Sequence, residues 1–448
     1  MSARRRIAGA APGFVLGALV LGTLALFAVS AASAVVEVRK VVSRSGIVAW
    51  LVEDHSNPIL SMSFGFRAGG SFDPAGKEGL AELTSILLDE GAGPMDALAF
   101  QKKLENLSIR LNFEVGRDQF HGSLRTLSRN SDTAFGMIGL ALARPRFDAD
   151  AVERMRAGLL SGYLRDSRRP RYLARRAFWS SAFPDHPYGR PVSGTTKSLG
   201  AIARADLERF VADNLTRDNL FVGVVGDVTP AQLAVLLDKA FGGLPAKRKS
   251  RPVPAAAPKL EGGLVVKRFD TPQSVAMFGQ PGLPRRHPDY YAAYVLNHIL
   301  GGGGFTSRLY LQIREKRGLA YSVYSYLWPM RRTSLLLGAV ATENARVAES
   351  VAIIRKEWAR IAEAGPTAEE LAAARKYLTG SYPLRFSSSS RIADMLVGLQ
   401  FEGLERDYFA RRNGYIEKVT LADVRRVAKS LLKPGRLTFF IVGKPAGL

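Results

Sequence analysis

From Val35 onward the hydrophobic positions alternate. "VVEVRKVVSRSGIVAWLVEDHSNPILSMSFGFRAGG" sets β-branched and aromatic residues at short intervals and breaks them between His55 and Pro58. That pattern predicts strands joined by tight turns. A helical period follows over 78–90, 95–106, about 131–143 and 148–166, and "IRLNFEVGRDQFHGSLRTL" between them alternates like a strand pair. The half closes with a helix, "SLGAIARADLERFVADNL", and a buried strand, "NLFVGVVGDV".

The second half repeats the order. "GGLVVKRFDTPQSVAMFGQPGLP" is strand-like, helices are expected at about 288–300, 303–316, 344–363 and 367–379, and strands at 319–328 and 333–342. A helix, "VTLADVRRVAKSLL", and a strand, "RLTFFIVGKP", end it. Comparable segments lie 160 residues apart in the first half (Met62 to Val222) and 164 in the second (Ala276 to Phe440). An internal duplication is the economical reading. Residues 244–263, "LPAKRKSRPVPAAAPKLEGG", carry four prolines and read as an exposed, extended linker. The expected fold class is therefore α+β, with two homologous domains, 35–243 and 264–448, each a mostly antiparallel sheet packed with helices.

Composition adjusts this picture at the N-terminus. "MSARRR", an apolar run and the small residues "SAASA", with Ala32 and Ala34 in A-x-A spacing, make residues 1–34 a secretory signal peptide. The alternative is an uncleaved anchor, because Ile7 to Val36 is uncharged and about 20 apolar residues span a bilayer. Both place the body outside the cytoplasm: periplasmic, or membrane-anchored facing the periplasm. The 448 residues, 47% hydrophobic and 23% charged, suit two globular domains. There is no cysteine, which excludes disulfides, thiolate metal sites and a cysteine nucleophile.

The net charge is +23, and +20 without Arg4, Arg5 and Arg6. For an exported chain this points to an acidic partner, anionic peptides or a membrane surface, not to nucleic acid. The excess is densest from Arg144 to Arg176, with ten arginines against Asp148, Asp150, Glu153 and Asp166. A solvated helix face explains that run equally well.

"KEGLAELTSILLDEGAG", "HPYGRPVSGT" and "LGGGGFTSRLYLQIREKRGLAYSVYSY", taken with the duplication, resemble the pitrilysin or insulinase-type zinc peptidases, in their two-domain, mitochondrial-processing-peptidase-like branch. Active members carry H-x-x-E-H, whose first and last positions share a helix face and grip one metal while the glutamate activates water. A third ligand, a glutamate, comes from a later helix. The resemblance puts those places at Glu82, Ser85, Ile86 and Gly162. Ile86 and Gly162 have no donor atom, and Ser85 is a poor base. No zinc and no other cofactor is expected in this chain, and alone it is expected to be inactive.

The resemblance also implies substrate-binding roles for Arg314 and Tyr321, with Arg317 a weaker candidate. Guanidinium donates forked hydrogen bonds to carbonyls, and a phenol can donate to a developing oxyanion. The four glycines at 301–304 lack a phosphate-loop signature and read as a flexible connection between helices. Two-domain members of this family work as clam-shaped dimers. The expectation is a noncatalytic subunit of a heterodimer with an H-x-x-E-H partner that holds the zinc and cleaves peptides. The alternatives are a structural or assembly protein of the same fold, and an independent enzyme using Glu82.

Overall fold

A computed structural model describes residues 37–448, so the expected signal segment, 1–34, lies outside the described residues. The alternating stretches become two sheets. The first contains β1 (Arg39–Val42), β2 (Val48–Glu53), β3 (Ile59–Phe66), β4 (Arg110–Val115), β5 (Phe120–Leu127) and β6 (Leu220–Gly226). Across the sheet they run β1-β2-β6-β3-β5-β4. The second contains β7 (Leu264–Arg268), β8 (Gln273–Pro281), β9 (Ala320–Pro329), β10 (Ser334–Glu343) and β11 (Thr438–Gly443), ordered β7-β11-β8-β10-β9.

The two orders are the same apart from the extra β1. Each sheet has a single parallel pair, β2 with β6 and β7 with β11, and is otherwise antiparallel. The central pairs match as well: Phe64 faces Val222 in the first sheet and Met277 faces Phe440 in the second. The mixed α+β plan expected from the hydrophobic pattern is present twice.

Four helices position the sites: α1 (Leu80–Ser85), α2 (Ala149–Asp166), α3 (Pro170–Ala182) and α4 (Ser389–Glu402). On β3, Leu60, Met62, Phe64 and Phe66 enter the main core, where Phe64 meets Phe241 edge-on at 5.2 Å. Ser61, Ser63 and Gly65 alternate with them, a pattern that normally marks a solvated face. Here that face is buried too, because α4 from the second half lies across β3 and β6. The reciprocal helix, α3 of the first half, packs on β8 and β11, with Phe178 5.4 Å from Phe440. Each half thus lends a helix to the other's sheet, and Glu37–Leu448 form one compact unit.

Other differences from expectation have local causes. The helix expected over 78–90 is regular only from Leu80 to Ser85. Asp73 fixes its start by accepting from the Gly79 and Ala81 amides at 2.8 and 2.9 Å. Its end is loosened where the Thr84 and Ser85 hydroxyls bond back to the Leu80 and Glu82 carbonyls, which disturbs the helical ladder. The linker is extended and tied down at points along its course. Leu260 is fully buried beside Phe178 and Trp179, and the Ala256 and Lys259 amides each donate at 2.8 Å to the Arg332 and Ala182 carbonyls. Nor is the glycine run at 301–304 loose. A Cβ on Gly301 would lie 2.4 Å from the Ser325 hydroxyl, so glycine is needed there for close approach to β9. Among the described residues no helix is long and apolar enough to cross a membrane.

Candidate functional site

Three of the four positions singled out around the metal motif offer nothing to a cation. Ser85 is buried and its hydroxyl donates to the Glu82 carbonyl at 2.8 Å. Ile86 follows the last turn of α1 and rests against the hydrophobic core. Gly162, on α2, has no side chain. Glu82 alone presents a carboxylate, and a catalytic zinc needs about three protein ligands. Donor chemistry at these positions does not fit zinc.

Glu82 instead lines a cavity of about 340 Å³. Burial and the nearby Glu114 carboxylate push its carboxyl up to about 7. The opposite wall carries Arg117, which follows β4, together with Arg175, Arg176 and Trp179 of α3. Arg117 lies flat over Trp179, 3.9 Å from the ring centroid, and its Nε donates to the Tyr188 carbonyl at 3.0 Å. A second cavity of about 380 Å³ shares Gly116, Arg117 and Trp328 with the first and adds Arg67, Asp118 and Arg331. Both spaces therefore meet at Arg117 and Trp328.

Sequence reading did not find this site. Arg175 and Arg176 fall in the arginine-dense run, where a solvated face was an equal explanation. Arg67, Arg117 and Arg331 are scattered through both halves and converge only in the folded chain. The one available signal was the density of arginine before and within α3.

Arg314 and Tyr321, the pair implied by the resemblance, lie against each other. The Arg314 guanidinium sits 4.5 Å from the Tyr321 ring centroid, 5.0 Å from Tyr310 and 5.9 Å from Phe305. Its Nη1 donates to the Tyr321 carbonyl at 3.2 Å, so the cation is held by aromatic faces and a backbone oxygen. Tyr321 is 81% exposed and Phe305 71%. Arg317 is engaged elsewhere, donating to the carbonyl and side-chain oxygen of Gln312 at 2.7 and 2.9 Å.

Glu82 is not part of this group. Trp328, which lines its cavity, is seven residues along β9 from Tyr321. At the usual strand rise that is roughly 23 Å. Tyr321 thus stands well along the strand from the Trp328 wall of the Glu82 cavity.

Residues 201–378 match the family model described as the peptidase M16 inactive domain. The non-peptidase homolog YmxG of Helicobacter pylori is 29% identical over 392 residues, covering 87% of this chain and 90% of that protein. A protein of Mycobacterium leprae described as an uncharacterized zinc protease is 28% identical over 393 residues, covering 85% and 87%. The crystal structure of a peptidase M16 inactive domain from Pseudomonas fluorescens has a TM-score of 0.86 and 27% identity, covering 92% of this chain and 98% of that one.

Proposed function

We propose that this chain, an M16 peptidase homologue of the inactive kind, is the noncatalytic, substrate-binding subunit of an exported heterodimeric zinc metallopeptidase. Its partner carries H-x-x-E-H and supplies both the zinc and the general base. The observation that carries this reading is the contrast between two sites in one polypeptide. The metal positions have become Glu82, Ser85, Ile86 and Gly162, while Arg314 and Tyr321 are held together on an exposed surface. A peptide-binding pair without a metal beside it is useful when another chain brings the metal to it.

The pair's chemistry supports that division of labour. A caged guanidinium keeps a fixed direction, so its free N–H groups are pre-aimed at peptide carbonyls. The Tyr321 hydroxyl is free in solvent to donate to an oxyanion forming at a partner's metal. Export rests on the N-terminal signal pattern, and the membrane-anchored form is compatible with the same role.

Affinity capture of the tagged chain from its native cell tests the reading. The expected result is one stoichiometric companion with an H-x-x-E-H sequence. A companion without that motif makes this chain an assembly protein of the same fold, and recovery of the chain alone with peptide-hydrolysing activity makes it an independent enzyme.

A further inference from the structure

We propose that the arginine-lined cavities beside Glu82 bind the carboxylates of an acidic peptide, so that this chain selects anionic substrate segments. The inference rests on the reading of the chain as a peptide-holding subunit and narrows its substrate class.

Five guanidiniums line the two neighbouring spaces: Arg117, Arg175 and Arg176 in the first, with Arg67, Arg117 and Arg331 in the second. Among the described residues none of the five forms an ion pair with an acidic side chain. Elsewhere arginines do find partners: Arg308 grips Glu370 through two 2.7 Å contacts, and Arg426 pairs with Asp289 at 2.6 Å. Arginines without an acidic partner, such as Arg110 and Arg125, occur elsewhere too; what sets these five apart is that they converge on two neighbouring cavities.

Three acids share these walls with the five arginines, Glu82 in the first cavity and Asp118 and Glu402 in the second, and they offset the positive charge only in part. Asp118 accepts the Tyr188 hydroxyl at 2.6 and 2.7 Å from its two oxygens. Glu82 is held toward its protonated form by burial. On the donor side, Arg176 Nη1 is buried without a hydrogen-bond acceptor, which is costly for a charged group.

Crowding of like charge leaves a second trace. Burial, with Arg175 close by, brings Arg117 down to about 9, and burial with Arg67 and Arg332 brings Arg331 down to about 10. An anion among these groups relieves both the repulsion and the unmet donors. A divalent cation there meets five arginines against three acids, a net repulsion. Where active relatives of this fold hold a metal, this wall suits the opposite charge.

Shape argues for a chain rather than a compact ion. The spaces, about 340 and 380 Å³, share Arg117 and Trp328 in their walls, so they present two neighbouring cationic stations. Trp179, Trp328, Val115 and Val192 supply apolar wall between the charges, as a peptide with spaced carboxylates requires.

Trp328 provides the readout. The purified chain, without any partner, is titrated by tryptophan fluorescence with an alternating glutamate–alanine decapeptide, its lysine–alanine counterpart, and inorganic phosphate. The acidic peptide is expected to saturate, the basic peptide not to bind, and phosphate to compete only weakly. Arg175→Gln, at an exposed position, and the Arg175→Gln/Arg176→Gln double variant are expected to weaken acidic-peptide binding progressively, the double by about tenfold or more. Equal or tighter binding of the basic peptide, phosphate binding as tight as the peptide's, no acidic-peptide binding, or unchanged affinity in a double variant with an unaltered circular-dichroism spectrum each overturns the proposal. Because no partner or turnover enters the titration, lost acidic-peptide binding beside an active pair counts against this inference alone. An inactive pair beside intact binding counts against the heterodimer reading alone.

Discussion

Arg314 and Tyr321, seven residues apart, hold one another: the guanidinium stands 4.5 Å from the ring centroid, and its Nη1 donates to the Tyr321 carbonyl at 3.2 Å. The arrangement fixes the arginine while leaving the phenol in solvent. If the pair handles substrate at a partner's metal, removing either group should reduce turnover more than it disturbs assembly. Tyr321→Phe is expected to lower kcat of the partnered enzyme by about 100-fold, the usual loss of one oxyanion donor. Arg314→Ala should lower kcat/KM by a similar order, about 10- to 100-fold, through lost carbonyl contacts. Size-exclusion chromatography of the variant with its partner should show unchanged association. Unaltered turnover in both variants removes the role assigned to the pair.

Glu82 gives a prediction about pH. Its carboxyl, ordinarily near 4.5, is pushed up to about 7 in the folded chain by burial and Glu114. Between those values the folded chain holds a proton that the unfolded chain has released, so the contribution of Glu82 to stability falls as pH rises through the window. Glu82→Gln removes the charge at similar size. The variant should match the parent at pH 5 and exceed it at pH 8 by roughly 2 kcal/mol, read from urea unfolding at the two pH values. Equal stability at both refutes the burial of this carboxyl.

Exchange of helices between the halves gives a third. A Cβ on Gly223 of β6 would lie 2.6 Å from the Ala393 carbonyl and 2.7 Å from Leu396 Cβ, both on α4. Backbone and the root of a side chain cannot swing away. Gly223→Val should therefore cost about 3 kcal/mol or more, by lifting α4 off the first sheet. The same substitution at Gly398 of α4, where a Cβ meets nothing within 4 Å, should be neutral or gain a few tenths of a kcal/mol, because valine is a slightly better helix former than glycine. Comparable losses at the two sites refute the seating of α4.

Much of the frame was legible in the chain. β3, β5, β6 and their counterparts β8, β10 and β11 are alternating, β-branched runs, and period alone locates them. What period does not carry is which element covers each face. Ser61, Ser63 and Gly65 carry the small polar alternation of a solvated face, and nothing local announces α4, which arrives from more than 320 residues later in the sequence. The arginine cavities were hidden for the same reason, since Arg67, Arg117 and Arg331 share no local pattern. Arg314 and Tyr321 were picked out by the resemblance alone; in the fold they lie on either side of the turn at Gly318, φ 58°.

The most direct test of a metal held only by the partner is zinc content measured beside peptide hydrolysis, for this chain alone and for the complex captured with its partner. The chain alone is expected to hold no stoichiometric zinc and to cleave nothing, and the complex to hold one zinc per heterodimer and to cleave. Stoichiometric zinc in the isolated chain, lost on Glu82→Ala and accompanied by cleavage, would contradict that division between the subunits.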